Sequence, residues 1–337
     1  MAKRRLSERQ RQRIRAIQEQ RRQRLEMRLE NERLEQEGKP NPPTAGTVIT
    51  RHGQNLVVED GGGQLWHCLS RQNIGDPVCG DRVVWQATGD RQGVVTAIQP
   101  RRSALRRPNY SGENRALAAN ITQMVVVLAP EPPPSRYLLD QYLVAAEKIG
   151  VRALIVLNKK DLWDAQAQEV FRRDFRVYAG IGYPLVRVSA HRRQGLDAIE
   201  RHLRGETSIL VGQSGVGKSS LVNALLPDLE LQVGRLSQTS GMGRHTTSAT
   251  TLYHLTAGGA LIDSPGVRSF RLGWIDQRQL EQGFREFRPF LGRCRFSNCS
   301  HTHEPGCALR AAVHEGRIDG ERMANFQHML ATTPARK

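Results

Sequence analysis

The feature that most constrains this chain is a glycine-rich stretch at residues 212–219, with the sequence Gly-Gln-Ser-Gly-Val-Gly-Lys-Ser. It matches the pattern GxxxxGK[ST], follows an apolar run and opens a segment typical of a helix. In this context the glycines let backbone N–H groups turn toward phosphates, and Lys218 reaches the β- and γ-phosphates. The stretch predicts a nucleoside triphosphate site, with an ordinary glycine-rich turn as the structural alternative. The predicted contact residues are Gly212, Gln213, Ser214, Gly215, Val216, Gly217, Lys218, Ser219 and Ser220.

The surrounding sequence alternates between strand-like and helix-like segments. Residues 121–129, 153–161, 184–190 and 207–214 each contain an apolar run that ends in a polar loop. Ser135 is a plausible N-cap for a helix whose apolar residues fall on one face. These residues are Leu138, Leu139, Tyr142, Leu143, Ala146 and Ile149. The alternation predicts an α/β domain with a mostly parallel sheet, in which ligands lie at the carboxyl ends of the strands.

Two more motifs fall at such strand ends. Asp263-Ser-Pro-Gly266 follows a short apolar strand, so that Asp263 can hold Mg²⁺ through water and the Gly266 amide can sense a γ-phosphate. Ser219 is predicted to bind the same Mg²⁺ directly. By itself Asp-Ser-Pro-Gly is also an ordinary turn, and its position about fifty residues after the glycine-rich stretch favours the nucleotide interpretation.

The third motif, Asn158-Lys159-Lys160-Asp161, predicts which base is bound. Its aspartate can accept hydrogen bonds from the guanine N1–H and amine, whereas adenine would leave the carboxylate unpaired at a cost. Ser189 and Ala190 close the next strand and resemble a loop whose backbone contacts the guanine O6, although an ordinary strand end has the same two residues. Together these motifs predict GTP and its Mg²⁺ as ligands. They run in the order base-binding loops, phosphate loop and switch, which is circularly permuted relative to ordinary GTPases.

The rest of the chain divides by composition. Residues 1–39 contain thirteen Lys or Arg and seven Glu, typical of a basic helical arm or of a solvated helix. Short strand-like runs separated by glycine turns predict a small barrel, of the OB-fold or the SH3-like type. The predicted domains are a basic arm at 1–43, an OB-fold barrel at 44–100, a linker at 101–115, a circularly permuted P-loop GTPase domain at 116–272 and an α-helical zinc-binding C-terminal domain at 273–337.

Three of the five cysteines lie close together near the C-terminus. Cys294, Cys299 and Cys307 are accompanied by His301 and His303, either of which could complete a four-ligand set. Soft thiolates with one imidazole favour a closed, structural tetrahedral Zn²⁺ site, one per chain. Cys68 and Cys79 are expected to be ordinary barrel residues.

The net charge of +17 predicts a polyanionic partner, and for a cytoplasmic chain nucleic acid. The 337 residues contain no apolar run of about 18 residues, which predicts no membrane-spanning helix. The N-terminal residues predict no secretory signal peptide. We expect a cytoplasmic protein that acts as a monomer.

These features resemble the RsgA family of circularly permuted GTPases, also called YjeQ or EngC, over nearly the whole chain. The resemblance implies a late assembly factor that binds the small ribosomal subunit and its rRNA, binds GTP and GDP, and is stimulated by the subunit to hydrolyse GTP. The family pattern CxHxxEPGC selects His301 over His303 as the metal ligand. It also implies that Thr247 completes the Mg²⁺ shell when GTP is bound.

The residue that orients the attacking water is the open point of the site. Val267 occupies the position where Ras-like enzymes place a glutamine, and its side chain cannot orient water. The resemblance implies His245 as the catalytic residue, with a phosphate-facing or RNA-facing histidine as the alternative. The rival functions are an ATP-dependent P-loop kinase, a passive RNA-binding protein, and a GTPase acting on tRNA or the large subunit.

The permuted order also predicts a mechanical consequence. The γ-phosphate-sensitive segment after Asp263 runs directly into the C-terminal domain, whereas the barrel enters shortly before the base-binding half. A nucleotide-driven shift should therefore displace the C-terminal domain and the barrel relative to one another.

Overall fold

A computed structural model describes residues 41–108, 114–240, 249–264 and 275–332 of the chain. The predicted arm at 1–39, the catalytic candidate His245, the Mg²⁺ candidate Thr247 and Gly266 lie outside these ranges. Within them, no helix is both long and apolar enough to span a membrane.

The first described domain is a five-stranded barrel. Strand β1 hydrogen-bonds to both β2 and β4, and the pairing β2–β3–β5–β4 closes the circle. The β3–β5 pair is parallel. Alternate side chains point inward and form a compact core that includes the Trp66 and Trp85 rings, 4.6 Å apart. The small barrel predicted from the sequence is confirmed; its strands are β1 (Thr44–His52), β2 (Asn55–Asp60), β3 (Leu65–Ser70), β4 (Arg82–Gly89) and β5 (Gln92–Ile98).

The segment predicted as a linker has structure of its own. Strands β6 (Ala104–Pro108) and β7 (Asn114–Ala119) form an antiparallel pair. Just before them, the Arg101 guanidinium donates to both carboxylate oxygens of the buried Asp81 at 2.7 Å. The described residues of this segment, 101–108 and 114–115, are therefore not a free connection, because this ion pair and the β6–β7 ladder attach them to the barrel and to one another.

A six-stranded sheet forms the centre of the second domain, in the order β10-β9-β8-β11-β13-β12. Strands β8, β9, β10, β11 and β13 are parallel, and the edge strand β12 is antiparallel to β13. Strand β8 is buried along its whole length, as its apolar sequence predicts. The bounds are β8 (Gln123–Leu128), β9 (Arg152–Leu157), β10 (Leu185–Arg187), β11 (Thr207–Val211), β12 (Thr251–His254) and β13 (Ala260–Asp263).

Helices connect these strands and cover the sheet. Ser135 is the N-cap of the first helix, with its hydroxyl accepting from the Leu138 N–H, as predicted. Gly150 ends that helix in the left-handed conformation that favours glycine. The helices are α1 (Arg136–Ile149), α2 (Ala165–Gly180), α3 (Leu196–Leu203), α4 (Lys218–Leu225) and α5 (Leu229–Ser240).

The C-terminal region is helical around a core of phenylalanine side chains. It comprises α6 (Gln277–Gly283), a 3-10 helix (Arg285–Phe290), α7 (Ala308–His314) and α8 (Gly320–Thr332). Phe284, Phe287 and Phe326 are fully buried and contact one another face-on and edge-on. This core packs against α1, where the backbone of Gly283 lies close to Val144.

A buried ion network holds the C-terminal region on the second domain. The Arg322 side chain, 1% exposed, pairs with Asp140 of α1 and with Glu286. Asp140 also accepts from Tyr178 and Asn325, at 2.8 Å and 2.7 Å. Both carboxylate oxygens of Asp140 and of Glu286 therefore accept at least one hydrogen bond, as buried charges require.

The barrel is attached to the six-stranded sheet at its edge strand β12. Strand β1 pairs with β12 through one residue pair, Thr50 and Thr251, which extends the sheet into the barrel. Helix α5 lies against β2 and β3, and its Arg235 donates to the Gly63 carbonyl at 3.2 Å. The phosphate loop, the base-binding loops and Asp263 all follow parallel strands, so they meet at the carboxyl ends of those strands.

Candidate functional site

The phosphate loop has the backbone conformation that its sequence predicts. Gly212, Gly215 and Gly217 have φ values of 140°, 84° and 88°, which a residue with a Cβ rarely adopts. A Cβ at Gly212 would lie 2.3 Å from the Val127 carbonyl oxygen. Both the turn and its close approach to β8 therefore require glycine.

Helix α4 begins at Lys218, directly after this loop. The Lys218 ammonium donates to the carbonyls of Gly212 and Gln213, at 2.8 Å and 2.6 Å, which places its charge at the mouth of the loop. Ser219 and Ser220 are exposed in the first turn of α4. A helix N-terminus with free N–H groups and an adjacent ammonium favours a bound anion.

Asn158 joins three loops of the site. Its buried side-chain amide donates to the Val216 and Gly217 carbonyls at 3.0 Å and 3.3 Å. Its side-chain oxygen accepts from the Ala190 N–H at 3.1 Å. One side chain thus fixes the positions of the base-binding loop, the phosphate loop and the Ser189–Ala190 loop relative to one another.

Asp161 lies at the surface of the same site. Its carboxylate accepts a short hydrogen bond from the Ser189 hydroxyl, and that bond lowers the Asp161 pKa. The nearby Arg192 and His191 lower it further. A carboxylate that stays ionised is the acceptor needed for the two N–H groups of guanine.

The neighbouring lysines have distinct surroundings. Lys159 adopts a left-handed backbone, and its ammonium donates to the Glu131 carbonyl at 2.7 Å. The Lys160 N–H donates to the Val188 carbonyl at 2.9 Å, which ties the loop to the end of β10. The structure therefore brings the predicted residues at 158–161, 189–190 and 212–220 to one edge of the sheet.

Asp263 ends strand β13 beside the phosphate loop. Burial raises the Asp263 pKa, and the positive charge of Lys218 opposes that shift. The next residue, Ser264, is buried, and its hydroxyl lies 3.0 Å from that of Thr250. Asp263 ends β13, and Lys218 begins the helix that follows the adjacent strand β11. Their carboxylate and ammonium form an environment suited to a metal–phosphate ligand.

The second candidate site is a cluster of three thiols and one imidazole. The potential ligand atoms of Cys294, Cys299, His301 and Cys307 all lie within 4.8 Å of one another. The His301 Nδ1 is 3.6 Å from the Cys294 sulfur and 3.3 Å from that of Cys307. His303 is exposed and hydrogen-bonds to Thr302, so it lies outside the cluster.

Two glutamates organise the loop that carries these residues. Glu281 of α6 contacts His301 Nε2 at 3.1 Å and leaves Nδ1 facing the sulfurs. Glu304 accepts from the Ser300 hydroxyl and from the backbone N–H groups of Ser300, Thr302 and His303. The bond from the Ser300 hydroxyl is the main cause that lowers the Glu304 pKa, and the bond from the Ser300 N–H lowers it further. Glu281 was missed in the sequence, where it lies twenty residues before His301 and no local pattern connects them.

Comparisons with known proteins agree with this geometry. The family model described as RsgA GTPase matches residues 98–273. A relative from Ectopseudomonas mendocina named small ribosomal subunit biogenesis GTPase RsgA is 46% identical over 340 residues, covering 99% of each chain. One with the same name from Pseudomonas aeruginosa is 47% identical over 335 residues, again covering 99% of each chain.

Two solved structures share the architecture. A crystal structure of YjeQ from Thermotoga maritima has a TM-score of 0.71 and 30% identity, covering 88% of this chain and 100% of that one. The crystal structure of YloQ, described as a circularly permuted GTPase, has a TM-score of 0.68 and 28% identity, covering 88% and 98%.

Proposed function

This chain belongs to the RsgA GTPase family, and from that premise we propose that it binds the small ribosomal subunit and hydrolyses GTP during late assembly of that subunit. GTP hydrolysis itself follows from the family, as does a role in ribosome biogenesis. The observation that supports the proposal best is the convergence of the three nucleotide loops on Asn158 in a chain that matches its named relatives from end to end.

In the proposed GTP complex, Asp161 accepts from the guanine N1–H and amine, and Lys218 neutralises the β- and γ-phosphates. Ser219 and Thr247 are the proposed protein ligands of a Mg²⁺ ion, and Asp263 would hold it through water. The ion would supply positive charge to the transferring phosphoryl group. The Gly266 amide senses the γ-phosphate.

His245 is the proposed residue that orients the attacking water, since Val267 cannot. An imidazole nitrogen can accept a hydrogen bond from a water that must lose a proton. We propose that the subunit places this imidazole, so that hydrolysis is slow in the isolated protein and fast on the ribosome.

The cysteine cluster is proposed to hold one structural Zn²⁺. With Zn–S bonds of about 2.3 Å, tetrahedral ligands lie roughly 3.5–3.8 Å apart. The separations of 3.3, 3.6 and 4.0 Å among Cys294, His301 and Cys307 lie around that range, and all four potential ligand atoms are within 4.8 Å of one another. The Glu281 carboxylate contacts the ring nitrogen of His301 that faces away from the sulfurs, as carboxylates commonly do beside zinc-binding histidines.

The proposed partner surface is positively charged. Arg71, Arg82, Arg91 and Arg102 are exposed on and beside the barrel, which suits contact with rRNA phosphates. The basic arm at 1–39 would add to this contact. We further propose a cytoplasmic monomer, because the ribosomal subunit is the assembly that the protein joins.

Co-sedimentation and hydrolysis with separated ribosomal subunits test the proposal. We expect binding to small subunits with a GTP analogue and stimulated hydrolysis with GTP. Equal binding to large subunits, or hydrolysis that small subunits leave unchanged, would overturn it. His245→Ala should keep GTP affinity and reduce the stimulated rate by roughly 10²-fold, whereas Lys218→Ala should weaken nucleotide binding itself.

The arm is tested separately by salt dependence. Binding should weaken steeply with salt because phosphate contacts release counterions, and deletion of residues 1–39 should reduce that slope. An identical slope after deletion would show that the arm is only a solvated helix.

A further inference from the structure

The barrel and the C-terminal region are attached to the GTPase domain in contrasting ways. Arg322, Asp140 and a phenylalanine core fix the C-terminal region through buried charges and aromatic packing. At the barrel junction, an open pocket of about 250 Å³ lies between α5, β12 and the barrel. Because close packing resists displacement, this unfilled space leaves room for the barrel to shift at the junction.

A line of hydroxyl groups crosses the barrel junction. Thr50 of the barrel donates from its hydroxyl to the Thr250 carbonyl at 3.1 Å, and Thr251 donates to the Thr50 hydroxyl at 3.3 Å. The Thr250 hydroxyl in turn lies 3.0 Å from that of Ser264. Thr50 and Ser264 are 3% and 2% exposed, so losing either contact would leave a buried polar group without its partner.

This line ends beside the nucleotide site. Ser264 is covalently bonded to Asp263, which lies near Lys218 at the phosphate loop. A change at Asp263 on γ-phosphate loss that moves Ser264 would therefore either break the Ser264–Thr250 contact or displace Thr250. Displacement of Thr250 acts directly on Thr50, because Thr250 is the acceptor of its hydrogen bond.

We propose that Thr50 is a positioning residue through which the barrel senses the nucleotide at Asp263. The line Ser264–Thr250–Thr50, called here the hydroxyl relay, couples barrel position to nucleotide state. The inference deepens the proposed function, since a barrel that binds rRNA would then favour one nucleotide state, and by reciprocity that state would favour rRNA.

The junction also has buried apolar contacts, because Ile49 and Val57 of the barrel belong to the same core as Leu252 of the second domain. Two further polar contacts are exposed. Glu59 of the barrel contacts His254 at 2.7 Å, and the His254 side chain is 57% exposed. Arg235 reaches Gly63 from helix α5. Such exposed contacts contribute little individually, whereas the relay is a buried polar contact that continues to the residue next to Asp263.

Hydrogen exchange on the full chain tests the relay without a ribosome. Peptides that cover 44–60 should exchange at different rates with GDP and with a non-hydrolysable GTP analogue. Thr50→Val keeps the side-chain shape and should abolish most of that difference, whereas Thr50→Ser should retain it. Thr96→Val is the matched control, because Thr96 donates to the Val84 carbonyl within the barrel, away from this junction.

A second experiment measures the affinity of the same variants for the small ribosomal subunit. Thr50→Val should reduce the ratio of affinities with the GTP analogue and GDP about fivefold, the equivalent of one neutral hydrogen bond, while hydrolysis without subunits stays unchanged. An exchange difference that is missing in the wild type, or that persists in Thr50→Val, would overturn the relay. If subunits fail to bind the wild type while the exchange difference depends on Thr50, the relay stands and the proposed ribosomal function falls.

Discussion

Replacing Arg322 by methionine should release the C-terminal region from the GTPase domain. The guanidinium contacts Asp140 and Glu286, whose side chains are 0% and 10% exposed. It also lies over the rings of Tyr178 and Phe284, 5.1 Å and 4.8 Å from their centroids. Arg322→Met keeps an apolar side chain of similar length but leaves two carboxylates without their cation.

The structure sets the expected magnitude. Breaking a buried pair by removing one partner costs about 3–5 kcal/mol, because the remaining charge is uncompensated. Asp140 keeps the donors Tyr178 and Asn325, which limits its part of the loss, whereas Glu286 loses both of its Arg322 contacts. We therefore expect a loss of about 4 kcal/mol in the free energy of opening, or roughly 10³-fold in the opening equilibrium.

Native-state hydrogen exchange is the suitable assay, since a multidomain chain need not unfold in one step. The amides of α8 (Gly320–Thr332) should exchange at a much lower opening free energy in Arg322→Met. Arg317→Met is the control, because the Arg317–Glu315 pair has side chains 56% and 54% exposed and should contribute less than about 1 kcal/mol.

The refuting outcome is a change in α8 opening no larger than that of the control. A rescue variant separates charge from shape: adding Asp140→Asn and Glu286→Gln to Arg322→Met removes the uncompensated charges and should recover more than half of the loss. No recovery would mean that Arg322 acts through packing and not through its charge.

Three further predictions concern the sites and the barrel junction. Gly217→Ala should weaken GTP binding more than about tenfold in a fluorescent-nucleotide titration, since φ is +88° there and a Cβ would lie 2.4 Å from a side-chain amide of the base-binding loop; unchanged affinity would contradict this. Glu281→Gln should lower zinc affinity about 10- to 100-fold in a chelator competition, because a neutral amide accepts a weaker hydrogen bond from the His301 ring than the carboxylate does. Equal affinity would assign Glu281 to packing alone. Glu59 raises the His254 pKa above 6.5, so their contact should stabilise the barrel junction below that pH and be lost as pH rises through the folded pKa; exchange at the junction that responds to pH equally in His254→Gln would refute it.

Local patterns predicted the nucleotide-binding half of the fold well. Apolar runs followed by polar loops located β8, β9, β10 and β11, and Ser135 was identified as a helix cap from its position after three prolines. These features depend on residues within one strand or one helical turn. The small barrel was also predicted, because its short strands alternate with glycine turns.

Features that depend on distant residues were not predictable in this way. Arg322 and Asp140 are 182 positions apart, and a basic helical tail gives no sign that one arginine is buried. The β6–β7 pair was missed because its arginine-rich sequence is typical of an exposed linker. In the metal site the ligands have a recognisable spacing, whereas Glu281 is connected to His301 only by the folding of α6.

The relative strength of the two attachments decides where a nucleotide-driven movement goes. The permuted order places the C-terminal region directly after Asp263, which suggests that this region should be displaced. Coupling between sites usually amounts to about 1–3 kcal/mol, whereas separating Arg322 from its carboxylates costs about 3–5 kcal/mol. The coupling energy is therefore too small to separate the C-terminal region from α1. The barrel is attached by one β-strand residue pair, by the hydroxyl relay, and by buried apolar contacts of Ile49 and Val57 with the core of the GTPase domain. Because the C-terminal region stays on α1, a displacement of the barrel relative to the C-terminal region should occur at the barrel junction.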